Sequence, residues 1–504
     1  MALAAQTINL TTLNRFMRDF PSGIIVPELF LWNNLYELFK AGVSKDQHIG
    51  NNVEILMETA TPFTFTAAGE GIDLAHGDPL GFVKMNIPLK EVQVTAEITK
   101  QMMDRATGGN ASWGPILPRI LTARDRDFLW GMELCAFGDG TGRLARIASS
   151  SYSGTTMTAT SDSTYTDFGI ENVQLLKKGM WIEAYDQVGL KIADTADGVP
   201  TATSTNFWKV TAVTFGDRAN STATTGTFTF ECSNDLDSGT NATRCFDDGT
   251  VIYIAGTRSN ATAASDDVGS TARYEVTYME AAINVYTSLP MGLLGIVQIG
   301  GETIVSGAYT DETINCSLDT FQGLARASYP ALNAKIWDGR DFGGSQGTPA
   351  DWTLSAITDA MVERYQETGK WVTALVCNPK MAIALANQNA TESAFTITAK
   401  STGAFNQPVA GTRFATEFYS PEGKLIPIQT SPTIPANCVY GLCLEDMRWF
   451  TKGDFAPLKL LGDEWMFSPN QRKAVFEAPY GGYSQLGAVR CDSHFLIQDL
   501  KTNV

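Results

Sequence analysis

Histidine is nearly absent. The 504 residues contain three, His48, His76 and His494, and none lies beside a serine, cysteine or carboxylate in a pattern that marks a nucleophile and its base. Members of such a triad meet only in space, so scarcity argues against this chemistry without closing it. The eight cysteines include no CxxC pair and no paired histidine, which removes the usual zinc spacings. Cations are also few, with 37 Lys and Arg against 54 Asp and Glu and a formal net charge of −17. Reading a nucleic-acid sequence needs clustered positive charge to neutralise phosphates, so the charge balance argues against that function class. The most apolar segment, Leu289 to Val297, is too short and too glycine-rich to span a bilayer. Residues Met1 to Ile8 show no basic stretch followed by an apolar core, so a soluble, cytoplasmically made protein with no membrane partner is expected. In a reducing compartment, Cys232 with Cys245, or Cys438 with Cys443, would pair only if oxidised.

Motifs for bound groups are missing too. Gly138-Asp139-Gly140-Thr141-Gly142 lacks the Lys-Ser/Thr of a nucleotide-triphosphate loop and follows a helical pattern instead of a strand, so it reads as a helix-terminating turn. Asp235-Leu236-Asp237-Ser238-Gly239 has glycine at the fifth position, where a calcium loop needs a ligand, and no Glu closes the loop at position twelve. No catalytic residue, cofactor or metal site is assigned.

What is present is a long chain of ordinary globular composition, 44% apolar and 18% charged, with room for about three domains. Residues 1–50 read as an arm, with Phe16 and Phe20 ahead of a helix from Pro27 to about Ala41 that carries Phe30, Trp32 and Leu35. Apolar on nearly all sides, that helix must be enclosed, by its own domain or by a neighbouring subunit. Residues 51–94 read as two long strands around a Gly/Asp/Pro turn. Phe82 opens the return strand, where Val83, Met85 and Ile87 alternate with Lys84, Asn86 and, further on, Lys90. A hairpin this long is marginal alone, so something outside its own domain is expected to cover its apolar strip. Residues 95–146 read as a helix over Thr95–Ala106, a break at Gly108-Gly109, and a second helix from about Leu117 to Phe137. Its charge run Arg124–Asp127 is expected on a solvated face. Residues 147–258 turn abruptly rich in Ser, Thr, Gly and Asp, with short evenly spaced β runs, as in an inserted all-β sandwich or barrel. Residues 259–504 read as α+β: a helix through Leu318, Phe321 and Leu324, a second capped by Thr353 and closing at Gly369, a buried strand Trp371–Cys377, a short helix after Asn378-Pro379, then mostly strands.

This order of parts resembles the major capsid proteins of tailed double-stranded DNA phages, the HK97-like shell fold. Phe321-Gln-Gly-Leu-Ala-Arg326, Leu375-Val-Cys-Asn-Pro379 and Ile426-Pro-Ile with Ile434-Pro435-Ala and Val439-Tyr440-Gly441 look like pieces common in such proteins. The resemblance implies an α+β fold with an N-terminal arm, an extended loop (51–94), a spine helix, and axial and peripheral domains, here with an added β domain. It implies a non-enzymatic subunit that associates with itself, as hexamers and pentamers, into an icosahedral virion shell assembled in host cytoplasm. Packaged DNA would be enclosed without sequence-specific binding. A separate scaffolding protein, a portal and decoration proteins are the other partners it implies. The assembly contacts would be Phe16, Phe20, Phe30, Trp32, Leu35, Phe82, Val83, Lys84, Met85, Ile87 and Lys90. Some members weld subunits through Lys–Asn bonds. Lys84 and Lys90 lie in the loop, yet nothing marks a catalytic carboxylate or an Asn acceptor. An encapsulin-like shell, a tail-tube component and an acidic β-rich carbohydrate-binding or hydrolytic protein stay open as alternatives.

Overall fold

The computed structural model describes residues 34–40, 43–44, 48–49, 51–60, 80–99, 116–138, 140, 142–161, 173–185, 192, 194, 207–214, 226–234, 236, 246, 250–255, 289–297, 320–338, 354–392, 417–435, 438–453, 455–457, 466–467, 475–498 and 500. Its helices are α1 (Asn34–Lys40), α2 (Ile116–Phe137), α3 (Leu293–Ile296), α4 (Leu354–Thr368) and α5 (Pro379–Glu392), set among mixed sheets. Phe16, Phe20, Phe30 and Trp32 lie outside the described residues.

The long helix α2 starts with Pro118 in its first turn, where no amide hydrogen bond is forfeited. It ends where the Gly138 N–H donates to the Leu134 carbonyl at 2.9 Å. Gly140 and Gly142 follow at φ +88° and +80°, the turn expected there. Two faces of α2 serve two cores. Phe128, Met132 and Ala136, four residues apart, join the main core with Leu35, Tyr36, Phe39, Tyr440, Trp449 and Leu486. Trp130 and Leu134, on the opposite side, enter a second core with Ile147, Ile182, Trp208, Phe228, Phe230 and Phe246.

That second core fills a closed six-stranded barrel, in the order Thr227–Glu231, Thr156–Ser161, Arg143–Ser153, Val251–Ile254, Trp181–Tyr185 and Trp208–Thr214. The all-β expectation for 147–258 therefore takes barrel form, with its first strand beginning at Arg143. The chain leaves and re-enters the body through adjoining backbone. The Gly292 N–H donates to Gly138 O at 2.8 Å, and the Leu289 N–H to Gly140 O at 3.4 Å. A Cβ at Gly292 would fall 2.1 Å from the Cys135 carbonyl oxygen, so only glycine permits this closeness.

Two further sheets complete the body. One runs Lys335–Asp338, Phe495–Gln498, Val439–Leu442, Ala374–Cys377, Leu425–Thr430, Glu417–Tyr419. Helices α4 and α5 pack on it through Ile357, Met361, Met381 and Leu385. Asn378 caps α5: its Oδ1 accepts from the Lys380 N–H at 3.1 Å, with Pro379 as the first helical residue. The other sheet is built on the fourteen-residue strand Val475–Ala488, which pairs with Val43–Ser44's neighbour Met447–Thr451, with two short strands, and with Lys90–Thr99.

Three expectations are corrected. Residues 95–99 belong to the strand Lys90–Thr99, because apolar residues at 92, 94, 96 and 98 alternate and pair against Val475–Ser484; 100–106 lie outside the described residues. The helix expected through Phe321 and Leu324 is a small hairpin, Thr320–Phe321 with Leu324–Ala325, since Gln322-Gly323 forms a tight turn. Arg124 of the charge run is 5% exposed: one guanidinium nitrogen donates to Ala478 O at 3.2 Å, and the group lies 4.9 Å from the Tyr480 ring centre.

Candidate assembly surface

The hairpin Asn52–Ala60 and Gly81–Pro88 pairs Val53 with Ile87, Ile55 with Met85 and Met57 with Val83 on one face. Glu54 with Asn86, Leu56 with Lys84 and Glu58 with Phe82 occupy the other. The first face is covered by the chain itself. Met57 and Met85 belong to the main core, and Val53, Ile87 and Leu89 cluster with Phe450. Met85 and Ile87 are fully buried and Val83 is half-buried. The expectation that neighbouring copies cover this strip is corrected at Met85 and Ile87, which the body seals.

The opposite face is greasy where water is free to reach it. Leu56 is 70% exposed and Phe82 59%, and Leu80, one residue before the return strand, is 50% exposed. Leu56 and Phe82 are diagonal neighbours across the two strands, close enough for an aromatic ring to bridge. Lys84 pairs with Glu54 beside them, so the patch carries a charged margin. Burying a leucine or phenylalanine is worth about 1.5–3 kcal/mol, which makes this face a standing drive for association. Lys90 sits half-buried at the hairpin base, where burial pushes its ammonium pKa down. Nearby, Lys452 Nζ donates to Asn51 Oδ1 at 3.0 Å and the Tyr483 hydroxyl donates to Glu91 at 3.1 Å. Local alternation marks such a strand but not which face the body covers, so Leu56 and Leu80 went unsignalled.

Helix α1 is enclosed by its own domain. Leu35 is buried in the main core and Tyr36 meets the edge of Trp449 at 5.4 Å. Glu133, fully buried on α2, accepts from the Leu35 N–H at 3.1 Å, the Tyr36 N–H at 2.8 Å and the Ser431 hydroxyl at 2.7 Å. Burial raises the Glu133 carboxyl pKa, and these donors pull it back only in part. A glutamate inside an otherwise apolar helix segment carries no sequence signal for such a tie.

The polar cluster around His494 serves structure. His494 is buried, its Nδ1 accepts from the Cys443 N–H at 3.1 Å, and burial pushes its pKa down to about 4. Its Nε2 has no hydrogen-bond partner among the described residues, so no nucleophile is joined to it there. Asp446 beside it pairs with Lys370 and accepts from Ser493 at 2.7 Å. Burial alone would raise the Asp446 pKa, and these partners outweigh it to give a lowered value. Cys438 and Cys443 are separate buried thiols. Among the described residues no group of three or more His, Cys, Asp or Glu converges as a metal site, and no helix is long and apolar enough to cross a membrane.

No family model matches the chain, and no curated protein does. Among solved structures it is similar to a cyanophage A-1(L) capsid asymmetric unit, at 11% identity and TM-score 0.44, covering 95% of each chain. It is similar to the capsid of a native GTA particle at 8% and 0.42, covering 99% of this chain and 100% of that one. For the capsid of an empty GTA particle the values are 10% and 0.40, with 95% and 94% covered. At TM-scores under 0.5 such likenesses fix neither fold nor function.

Proposed function

We propose that this chain is the major capsid protein of a tailed double-stranded DNA phage, a subunit that builds a closed icosahedral shell from copies of itself. The observation that carries the reading is the hairpin with one face sealed by its own body, Leu56 and Phe82 standing outward on the other, and exposed Leu80 at the strand's start. A monomer gains nothing from that face, whereas a neighbour receiving it would bury all three. The order of parts supports the HK97-like version of this reading, with 51–94 as the extended loop and α2 as the spine. Hexamers and pentamers, a separate scaffolding protein, a portal and decoration proteins belong to the same proposal. The net charge of −17 suits a wall whose DNA is enclosed without being bound by sequence.

Size-exclusion chromatography and negative-stain microscopy of the purified protein test the reading. Closed shells are expected, and nucleic acid inside particles from the native source separates a genome container from one that holds a cargo enzyme. A compact monomer under every solvent condition would defeat the proposal.

A further inference from the structure

Among the described residues, one backbone hydrogen bond ties the outer edge of the hairpin to the body, and the parity of the pairing shows why this contact is distinct. The Leu89 N–H donates to Asn51 O at 2.8 Å, so residues 51/89, 53/87 and 55/85 are the pairs that exchange hydrogen bonds. Pairs 52/88 and 54/86 are then of the other kind, with amides turned away from the partner strand. Pro88 has no amide to turn. The Asn86 N–H is taken by the carbonyl of Gln322 at 2.8 Å. Among the described residues, Asn52–Ala60 is the single strand partner of Gly81–Pro88, so this contact caps an otherwise open edge.

The turn that supplies the carbonyl is held firmly. Gln322 and Gly323 have φ of +50° and +81°, the positive pair of a type I′ turn, a conformation that glutamine rarely adopts. The Gln322 amide atoms are buried without a hydrogen-bond partner among the described residues. Behind the turn, Phe321 is fully buried beneath the Arg326 guanidinium, 4.6 Å from its ring centre. Arg326 is itself buried and donates to the carbonyls of Leu332 and, at 2.8 Å, Gly295. Asn333 Nδ2 donates to Arg326 O at 3.0 Å. A strained turn anchored this deeply, with one backbone hydrogen bond to the hairpin among the described residues, serves position more than stability.

We infer that the 321–324 turn is the fulcrum of the hairpin: the Gln322 carbonyl grips the strand at Asn86 and sets the direction in which Leu56, Leu80 and Phe82 project. This rests on the hairpin being an intersubunit contact. Asn86→Pro deletes that one amide at a position where the strand does not use it for pairing. Asn86→Ala removes the same side chain and keeps the amide. In unassembled subunits, hydrogen exchange over 53–58 and 81–85 is expected to quicken about fivefold in the proline variant, the change that one net hydrogen bond carries. The alanine variant should match the parent, and shell yield should fall only with proline. Equal exchange in the two variants would overturn the fulcrum. Should Asn86→Pro fail to fold, Gly323→Val attacks the same contact from the turn, because a β-branched residue resists φ +81°. Quickened exchange with normal shell yield would keep the fulcrum and overturn the hairpin's part in assembly.

Discussion

Phe128 and Trp130 sit two residues apart on α2 and belong to different cores, Phe128 to the body and Trp130 to the barrel. Successive residues turn about 100° around a helix, so a two-residue step points to the opposite side. The helix is therefore a shared wall, and neither core is complete without it.

Excising 143–258, from the barrel's first strand onward, and closing the gap with a short linker should therefore leave a body that folds but aggregates, because Trp130 and Leu134 lose their cover. Adding Trp130→Ser and Leu134→Ser should restore solubility. In the full chain, Trp130→Ala should lower stability by about 3–5 kcal/mol, measured by denaturant unfolding. A soluble, well-folded excision without the two extra substitutions would show that the barrel closes its core by itself.

Leu56→Ser with Phe82→Ser should leave the subunit's melting temperature within a few degrees of the parent and abolish shells. Both side chains are more than half exposed, so the fold has little to lose. Met85→Ser is the contrast, with an expected loss of about 2–5 kcal/mol because that residue is fully buried. Melting curves and particle counts by microscopy separate the two outcomes.

Glu133 and His494 should give opposite pH dependences. The Glu133 carboxyl pKa is raised by burial above its ordinary 4.5, so the folded state binds the proton more tightly than the unfolded one. Its ionisation then costs stability as pH rises from 4.5 through the raised value. Glu133→Gln should flatten that limb in urea midpoints taken across pH. Glu133→Ala should cost about 1–3 kcal/mol at any pH, since the Leu35 and Tyr36 amides and the Ser431 hydroxyl lose their acceptor.

His494 falls from 6.5 to about 4, so the unfolded state takes up the proton first. Stability should drop as pH falls from 6.5 towards 4, by about 3 kcal/mol at most. His494→Gln should remove that dependence while lowering stability at neutral pH.

Much of this architecture was legible in the residues. Alternation through Val83, Met85 and Ile87 marks the return strand, the Thr353 cap and the Gly369 stop mark α4, and evenly spaced short β runs mark the all-β region without choosing between sandwich and barrel. Local pattern does not say which face of a strand the body covers, so the alternation that points to a neighbour's cover for Met85 and Ile87 gives no sign of Leu56. Nor could it show that Arg124 turns inward to a carbonyl on a strand more than 350 residues away. The turn at Gln322-Gly323 was hidden because glutamine is a poor marker for positive φ, and the apolar spacing around it imitates a helix.

Because the backbone at Gly138 touches the backbone at Gly292, the body has no gauge of how much chain lies between them. Among the described residues, the side chains that α2 lends to the barrel core are the indole of Trp130 and the isobutyl group of Leu134. Repainting those two side chains would let another ornament, longer, shorter or absent, hang from the same hinge post while the rest of the wall is laid as before.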